Sequence, residues 1–547
     1  MLSYQPSENR FLIVDNYPFG RDALRRSLLS IGVQDVDIAV SASAAIAMCK
    51  QKDYDFVFAD YDLGEGKNGQ QLLEELRGQK LLRNISAFVI LTAETTRDIV
   101  LNTLEFQPDD YLAKPYNQNL LLRRVKRLLR FKASLHPVFQ AIDDGNYSLA
   151  IQHGENYLED EDEFRSNALR ILAGLYTGTG DWEQALKIYD HELAARDSDW
   201  ARLGLAKVYM QQNRFQESEA LFLELIDINY MYIEAYENLS AIYLLQEQLQ
   251  KAEDIMQKAV EVSPLSLRRM HVYAAICEKN NHFENAVNSW RNIIKVSRNT
   301  KSASADNHLN LSRCLSDYCD HNDNYDDASV TNEIFSNFSK MREKFHVYGD
   351  VELQSLFIEG RAHYYRGDKV SSKHCMEEAE KIFENNPSAF SENSQLEFAK
   401  SLSQTGNNDK AGELLRRLAG SSKDPDILSK ADKVLDEPVS KDGKSKIIIL
   451  NRQGIQFFKA ADYQKAARSF REAKTFFPKN IELNLNLVQA LFKLIKISSS
   501  DYDCEQWLLE AEQCLHHIRA IPHNHKKYDN YQRLQKELAN LDVQHVA

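Results

Sequence analysis

Over the first 130 residues, short apolar runs alternate with stretches whose apolar positions recur at helical spacing. RFLIVD (10–15), DVDIAVS (35–41), FVFAD (56–60), SAFVILTA (86–93) and DDYLAKP (109–115) read as strands. GRDALRRSLLSIG (20–32), ASAAIAMCKQK (42–52), GQQLLEELRGQ (69–79), TRDIVLNTLEF (96–106) and NQNLLLRRVKRLLRF (117–131) read as helices. Apolar strands that alternate with crossover helices predict a parallel sheet covered on both faces. The expected fold class for this part is α/β, a doubly wound five-stranded parallel sheet.

From about residue 138 the strand pattern fades and a repeat replaces it. Small residues at Ala173, Ala206, Ser240 and Ala274 recur at steps of 33, 34 and 34. Twelve residues after each comes a second small residue (Ala185, Ser218, Ala252, Ala286), and four later a large one (Tyr189, Phe222, Met256, Trp290). The segment 451–480 repeats the pattern with Gly454, Phe457, Ala466, Phe470, Ala473 and Pro478. This spacing resembles the tetratricopeptide repeat, a helix–turn–helix unit in which small residues let paired helices approach and large ones fill the gap to the next unit. Weaker copies fall near 138–158, 305–340, 358–383, 396–418 and 481–494. The resemblance implies an all-α solenoid with a concave groove that holds a peptide or a partner helix.

Composition narrows the function. Of 547 residues, 43% are hydrophobic, and only 20 are Gly and 11 Pro, so helix and core are favoured over long loops. A net charge of −13 argues against a general nucleic-acid binder. Seven scattered cysteines without a CxxC suit reduced thiols, so a cytoplasmic location is expected. The first ten residues, MLSYQPSENR, lack the features of a secretory leader, and no apolar run reaches the roughly 18–20 residues that span a bilayer.

In a doubly wound sheet, function sits beyond the carboxyl ends of the strands. Asp15 and Asn16 follow the first strand, Asp60 the third and Thr92 the fourth, and Lys114 stands near the end of the fifth. Five separated positions, agreeing in type and order, make residues 8–131 resemble the CheY-like receiver domain of two-component response regulators. Tyr111 matches that family's switch aromatic and Pro115 the proline after its lysine, which is cis in the family. The resemblance implies that Asp60 accepts a phosphoryl group from a histidine kinase or phosphotransfer protein. It implies Mg²⁺ held by Asp15, Asn16, Asp60 and the backbone carbonyl of Asp62. It also implies that Lys114 pairs with a phosphoryl oxygen and that Thr92 moves toward the phosphate, vacating space for Tyr111. Ala93 leaves room for the group's approach. Asn16 departs from the family, where a second acid is usual; its amide oxygen can ligate a cation but adds no charge, while an acid at Asp62 raises the local negative potential.

Two other signals carry less. LLLRRVKRLLRF (120–131) is basic and amphipathic but sits where the last receiver helix packs on the sheet. CLHHIRAIPHNH (514–525) gathers one Cys and four His at no established zinc spacing. No DNA-reading element and no membrane insertion are expected. The domains expected are a receiver at 8–131, repeats at 135–298, irregular helices at 299–345, degenerate repeats at 346–419, a linker or break at 420–446, and repeats with capping helices at 447–547. The function expected is a response regulator whose phosphorylation modulates the interactions of its repeats, not an enzyme beyond its own phosphorylation and dephosphorylation. The alternative is a phosphorylation-independent pseudo-receiver scaffold.

Overall fold

The computed structural model describes residues 5–64, 66–93, 107–160, 163–298, 302–321, 328–435, 438, 441–478, 480–497, 501–519, 521 and 526–546. Five parallel strands, β1 (Arg10–Val14), β2 (Asp35–Ala39), β3 (Phe56–Asp60), β4 (Ala87–Thr92) and β5 (Asp110–Ala113), lie in the order β2-β1-β3-β4-β5. Alternation along each strand builds two cores. Phe11, Ile13, Phe56, Phe58, Val89 and Leu91 face α1 (Pro18–Ser30) and a helix at Gln118–Ser134. Leu12, Val14, Val57, Ala59, Phe88 and Ile90 face α2 (Ala42–Cys49) and α3 (Gly69–Gly78). Phe11 and Phe56 stack across β1 and β3 with ring centroids 4.8 Å apart. The expected helix at 96–106 lies outside the described residues.

Helix α4 (Gln118–Ser134) starts on Asn117, whose side chain accepts from the Leu120 N–H at 2.8 Å. It runs three residues past the expected end at 131. After Leu135 the chain enters α5 (His136–Asp143), α6 (Tyr147–Asp160), α7 (Arg165–Thr179) and α8 (Trp182–Ala195), and helix pairs continue to the end. Ala173, Ala185, Ala206, Ser218, Ser240, Ala252, Ala274 and Ala286 are all buried, as the repeat pattern requires. The two serines among them satisfy their hydroxyls across the pair: Ser218 donates to the Ala206 carbonyl at 2.7 Å and Ser240 to that of Ala252 at 3.0 Å. A Cβ at Gly454 would overlap a carbon of the Phe470 ring, so this glycine lets those two helices close.

The chain divides into two compact units, Met1–Cys314 and Leu315–Ala547. The break expected at 420–446 does not coincide with that boundary. A helix, Pro425–Leu435, occupies that stretch, and Ile427 and Ala431 are buried one turn apart. They seat it on the helices Glu392–Gln404 and Asn408–Ser421, a hydrophobic anchor that polar composition had masked. The next helix spans Lys441–Lys459.

Candidate functional site

The strand order reverses between β1 and β3, and the polar residues gather beyond the carboxyl ends there. Asp15, 2% exposed, follows β1. Its Oδ1 accepts from the Tyr17 N–H at 2.7 Å, and its Oδ2 faces Lys114 Nζ at 3.1 Å. Asp60 closes β3. Its Oδ1 accepts from the Asp62 N–H at 3.0 Å, and its Oδ2 pairs with Lys114 Nζ. One ammonium thus bridges two carboxylates from different strands. Lys114 is held in place by its own N–H, which donates to the Thr92 carbonyl at 2.7 Å and extends the β4–β5 ladder past Ala113. The Lys114–Pro115 bond is cis. Thr92 is buried at the end of β4, in register with Ala113.

Burial pushes the Asp60 carboxyl above the usual range; Lys114 pulls it down in part, and Asp15 pushes it further up. Burial also works against the Lys114 charge, but Asp60 and Asp15 together outweigh it and raise that group. Two carboxylates facing one ammonium leave the locus one negative charge in excess. Oxygen donors with that imbalance suit a hard divalent cation, so the residues present fit Mg²⁺. The cradle is tight: a Cβ at Gly20 would lie 2.5 Å from Asp15 Oδ2.

The other residues read from the sequence stand around this centre. Asn16 is exposed, and a Cβ at Gly64 would lie 2.7 Å from its amide nitrogen, so its side chain reaches over the loop after β3. Asp62 is exposed, and its Oδ1 accepts from the Gly64 N–H at 2.9 Å, closing a local turn. Tyr111 is half-buried on the α2–α3 side of the sheet, in register with Ile90 and two residue pairs before Thr92. Three contributors escaped the sequence reading. Arg21 donates from Nη1 to the Asp15 main-chain oxygen at 2.8 Å, fixing the first turn of α1 to the acid. Gly20 admits Asp15, and Gly69 lies against the Asp60 carbonyl so closely that a Cβ would overlap it. A glycine in the first turn of a helix is the trace that two of these leave in the sequence. Gly69→Ala is expected to displace the Asp60 backbone and to destabilise the sheet domain by about 1–3 kcal/mol; an unchanged urea-unfolding midpoint would show that the Asp60 backbone can move freely.

Residues 11–126 match the response regulator receiver domain, and residues 168–199 and 203–266 match tetratricopeptide repeats. A stretch is 33% identical over 75 residues to the regulatory protein VanRB of Enterococcus faecalis, 14% of this chain and 32% of that protein. Another is 35% identical over 101 residues to the human protein O-mannosyl-transferase TMTC1, 18% of this chain and 12% of that protein. The chain therefore spans a third or less of the length of these relatives. Among solved structures, a two-component response regulator from Clostridium difficile is 28% identical, covers 22% of this chain and 96% of its own, and has a TM-score of 0.21. A tetratricopeptide repeat protein from Parabacteroides merdae is 12% identical, covers 50% of this chain and 98% of its own, and has a TM-score of 0.28.

Proposed function

We propose that this chain, in which a response regulator receiver domain is joined to tetratricopeptide repeats, takes a phosphoryl group on Asp60 and thereby changes which protein partners its repeats hold. The observation that carries the reading is the Lys114 ammonium shared by Asp15 and Asp60 at the carboxyl edge of the sheet. An Asp60 carboxylate oxygen forms the new bond to phosphorus while the bond from phosphorus to the donor imidazole nitrogen breaks; the ring, protonated on its other nitrogen, leaves as a neutral histidine. Attack by an anion on an anionic group needs charge neutralisation and positioning more than covalent assistance. Lys114 supplies one positive charge, the Asp62 N–H aims the carboxylate, and Thr92 offers a hydroxyl to a phosphoryl oxygen. Asp15, Asn16, Asp60 and the Asp62 carbonyl would hold Mg²⁺, which would supply the remaining positive charge. Thr92 and Tyr111 bias the two states of the receiver.

The partners are a histidine kinase or phosphotransfer protein at the receiver and a protein or peptide at the repeats. Cys49, Cys277, Cys504 and Cys514 are buried free thiols, in keeping with a cytoplasmic setting. Among the described residues no helix is long and apolar enough to cross a membrane. Acetyl phosphate with Mg²⁺, followed by intact-mass measurement, tests the reading. A gain of about 80 Da is expected on the wild type. Its absence with acetyl phosphate and with every candidate kinase favours a constitutive scaffold, the reading that Asn16 supports. Asn16→Asp is expected to tighten Mg²⁺ binding roughly tenfold by adding a formal charge to the cradle. A titration followed by tyrosine fluorescence that gives equal affinities for the two proteins removes Asn16 from the cation site.

A further inference from the structure

The receiver and the first repeat share side chains at the end of the sheet opposite the phosphoacceptor. From α5, Asp143 reaches the turn that leads into β4. Its Oδ1 accepts from the Asn84 N–H at 2.9 Å and from Asn84 Nδ2 at 2.7 Å, and its Oδ2 lies 3.4 Å from the Ile85 N–H. From the end of α4, Lys132 donates to the Asn84 carbonyl at 2.7 Å and pairs with Asp109 at 2.7 Å. Asp109 in turn accepts from the Phe88 N–H at 2.9 Å and immediately precedes β5. The Lys132 ammonium is 4% exposed as a residue and sits 4.7 Å above the Phe139 ring of α5. Phe131 packs edge-on to Phe139 and to Phe164, with centroids 5.7 and 5.4 Å away, and Leu135, Val138, Ala150 and Ala168 continue the receiver core into the repeats.

The two strands gripped at their amino ends are those that deliver Thr92 and Lys114 at their other ends, roughly 20 Å away at about 3.3 Å per residue. We infer that Asp143 and Lys132 form the contact through which the receiver's state reaches the repeats. A shift of β4 against β5 at the phosphoacceptor changes the spacing of Asn84 and Asp109, and the α5 carboxylate and the α4 ammonium each bind one arrangement better than the other. Asp143 is bound by three N–H groups at once, so a displacement of the turn costs it charge-assisted hydrogen bonds. This inference rests on the phosphoacceptor reading, and it replaces diffuse transmission with two named residues.

Linkage makes it testable from both ends, because two coupled sites change each other's affinity by the same factor. The probe is beryllofluoride with Mg²⁺, a non-covalent phosphoryl analogue, added to the full chain. In the wild type, hydrogen exchange is expected to change in residues 136–160 as well as around Asp60. In Asp143→Asn and Lys132→Met the change at 136–160 is expected to disappear, and beryllofluoride affinity to shift by about fivefold or more. Saturable binding with exchange changes confined to residues 10–116 in the wild type overturns the inference while leaving the phosphoacceptor reading intact, and needs no variant to fold. Binding that is equal within twofold in wild type and folded Asp143→Asn overturns it as well. If neither beryllofluoride nor acetyl phosphate acts on the wild type, the phosphoacceptor reading fails, and the inference with it.

Discussion

Asp60→Ala is expected to lose the mass gain of about 80 Da expected of the wild type with acetyl phosphate and Mg²⁺, with no other residue taking its place. The second half of that expectation comes from geometry. Among the described residues Asp15 is the one other carboxylate on Lys114, and it is 2% exposed, with both oxygens engaged by Tyr17 and Lys114. Its main-chain oxygen is tied to Arg21, so it cannot swing toward a phosphoryl donor. Removing Asp60 leaves Lys114 paired with Asp15, which keeps the ammonium satisfied and the receiver folded. Loss of modification with an unchanged melting profile is thus the outcome that identifies a nucleophile. Peptide mapping that found the adduct on Asp15 or Asp62 in the variant would show that the phosphoacceptor had been misassigned.

Arg361→Ala is expected to destabilise the unit Leu315–Ala547 by about 3–5 kcal/mol, because it strands buried carboxylates. Arg361, on the helix Asp350–Tyr365, is fully buried, and its Nη2 lies 2.8 Å from Asp317 and 2.6 Å from Asp320. Lys400 joins Asp317 as well, and Glu397 approaches Arg361 at 3.9 Å. Burial opposes ionisation of Asp317, but Lys400 and Arg361 outweigh it and hold that carboxyl well below the usual range. Asp320 goes the other way: burial raises it more than Arg361 and Lys400 lower it. Asp317 therefore contributes stability that is full above its unfolded value of about 3.9 and is lost as pH falls toward its folded value. Asp320, held above its unfolded value, loses stability as pH rises through its folded value. Arg342→Ala is the control, since Arg342 pairs with Glu359 at 2.6 Å but is 41% exposed. It is expected to cost about 1 kcal/mol or less. Equal effects of the two substitutions on urea unfolding would show that the buried cluster is not what holds these helices.

The five strands were legible because each is a run of apolar residues bounded by polar ones, and the observed ends fall within two residues of the expected ones. The start of α1 was not. The pattern begins at Gly20, yet the helix begins at Pro18, whose fixed φ suits a first turn that needs no N–H. The far end of α4 was hidden for a different reason. Lys132 reads as a surface lysine until Asp109 and the Asn84 carbonyl, both distant in sequence, are placed beside it. At the site, Asp15, Asp60 and Lys114 were legible because strand ends deliver them in a fixed order. Gly20 and Gly69 were not, since what they supply is the lack of a side chain where another backbone or carboxylate needs room. Within 420–446 the helix Pro425–Leu435 was not legible against polar composition, because two buried residues one turn apart suffice to dock a short helix.

The continuity of the apolar interior from the sheet through Phe131 and Leu135 into Val138 and Phe139 bears on how such a protein can be taken apart. A graft of this receiver onto a foreign output, cut at residue 131, would open a greasy stump and release the lysine clasp beneath it. Cut after Asp143, the transplant carries its own lid.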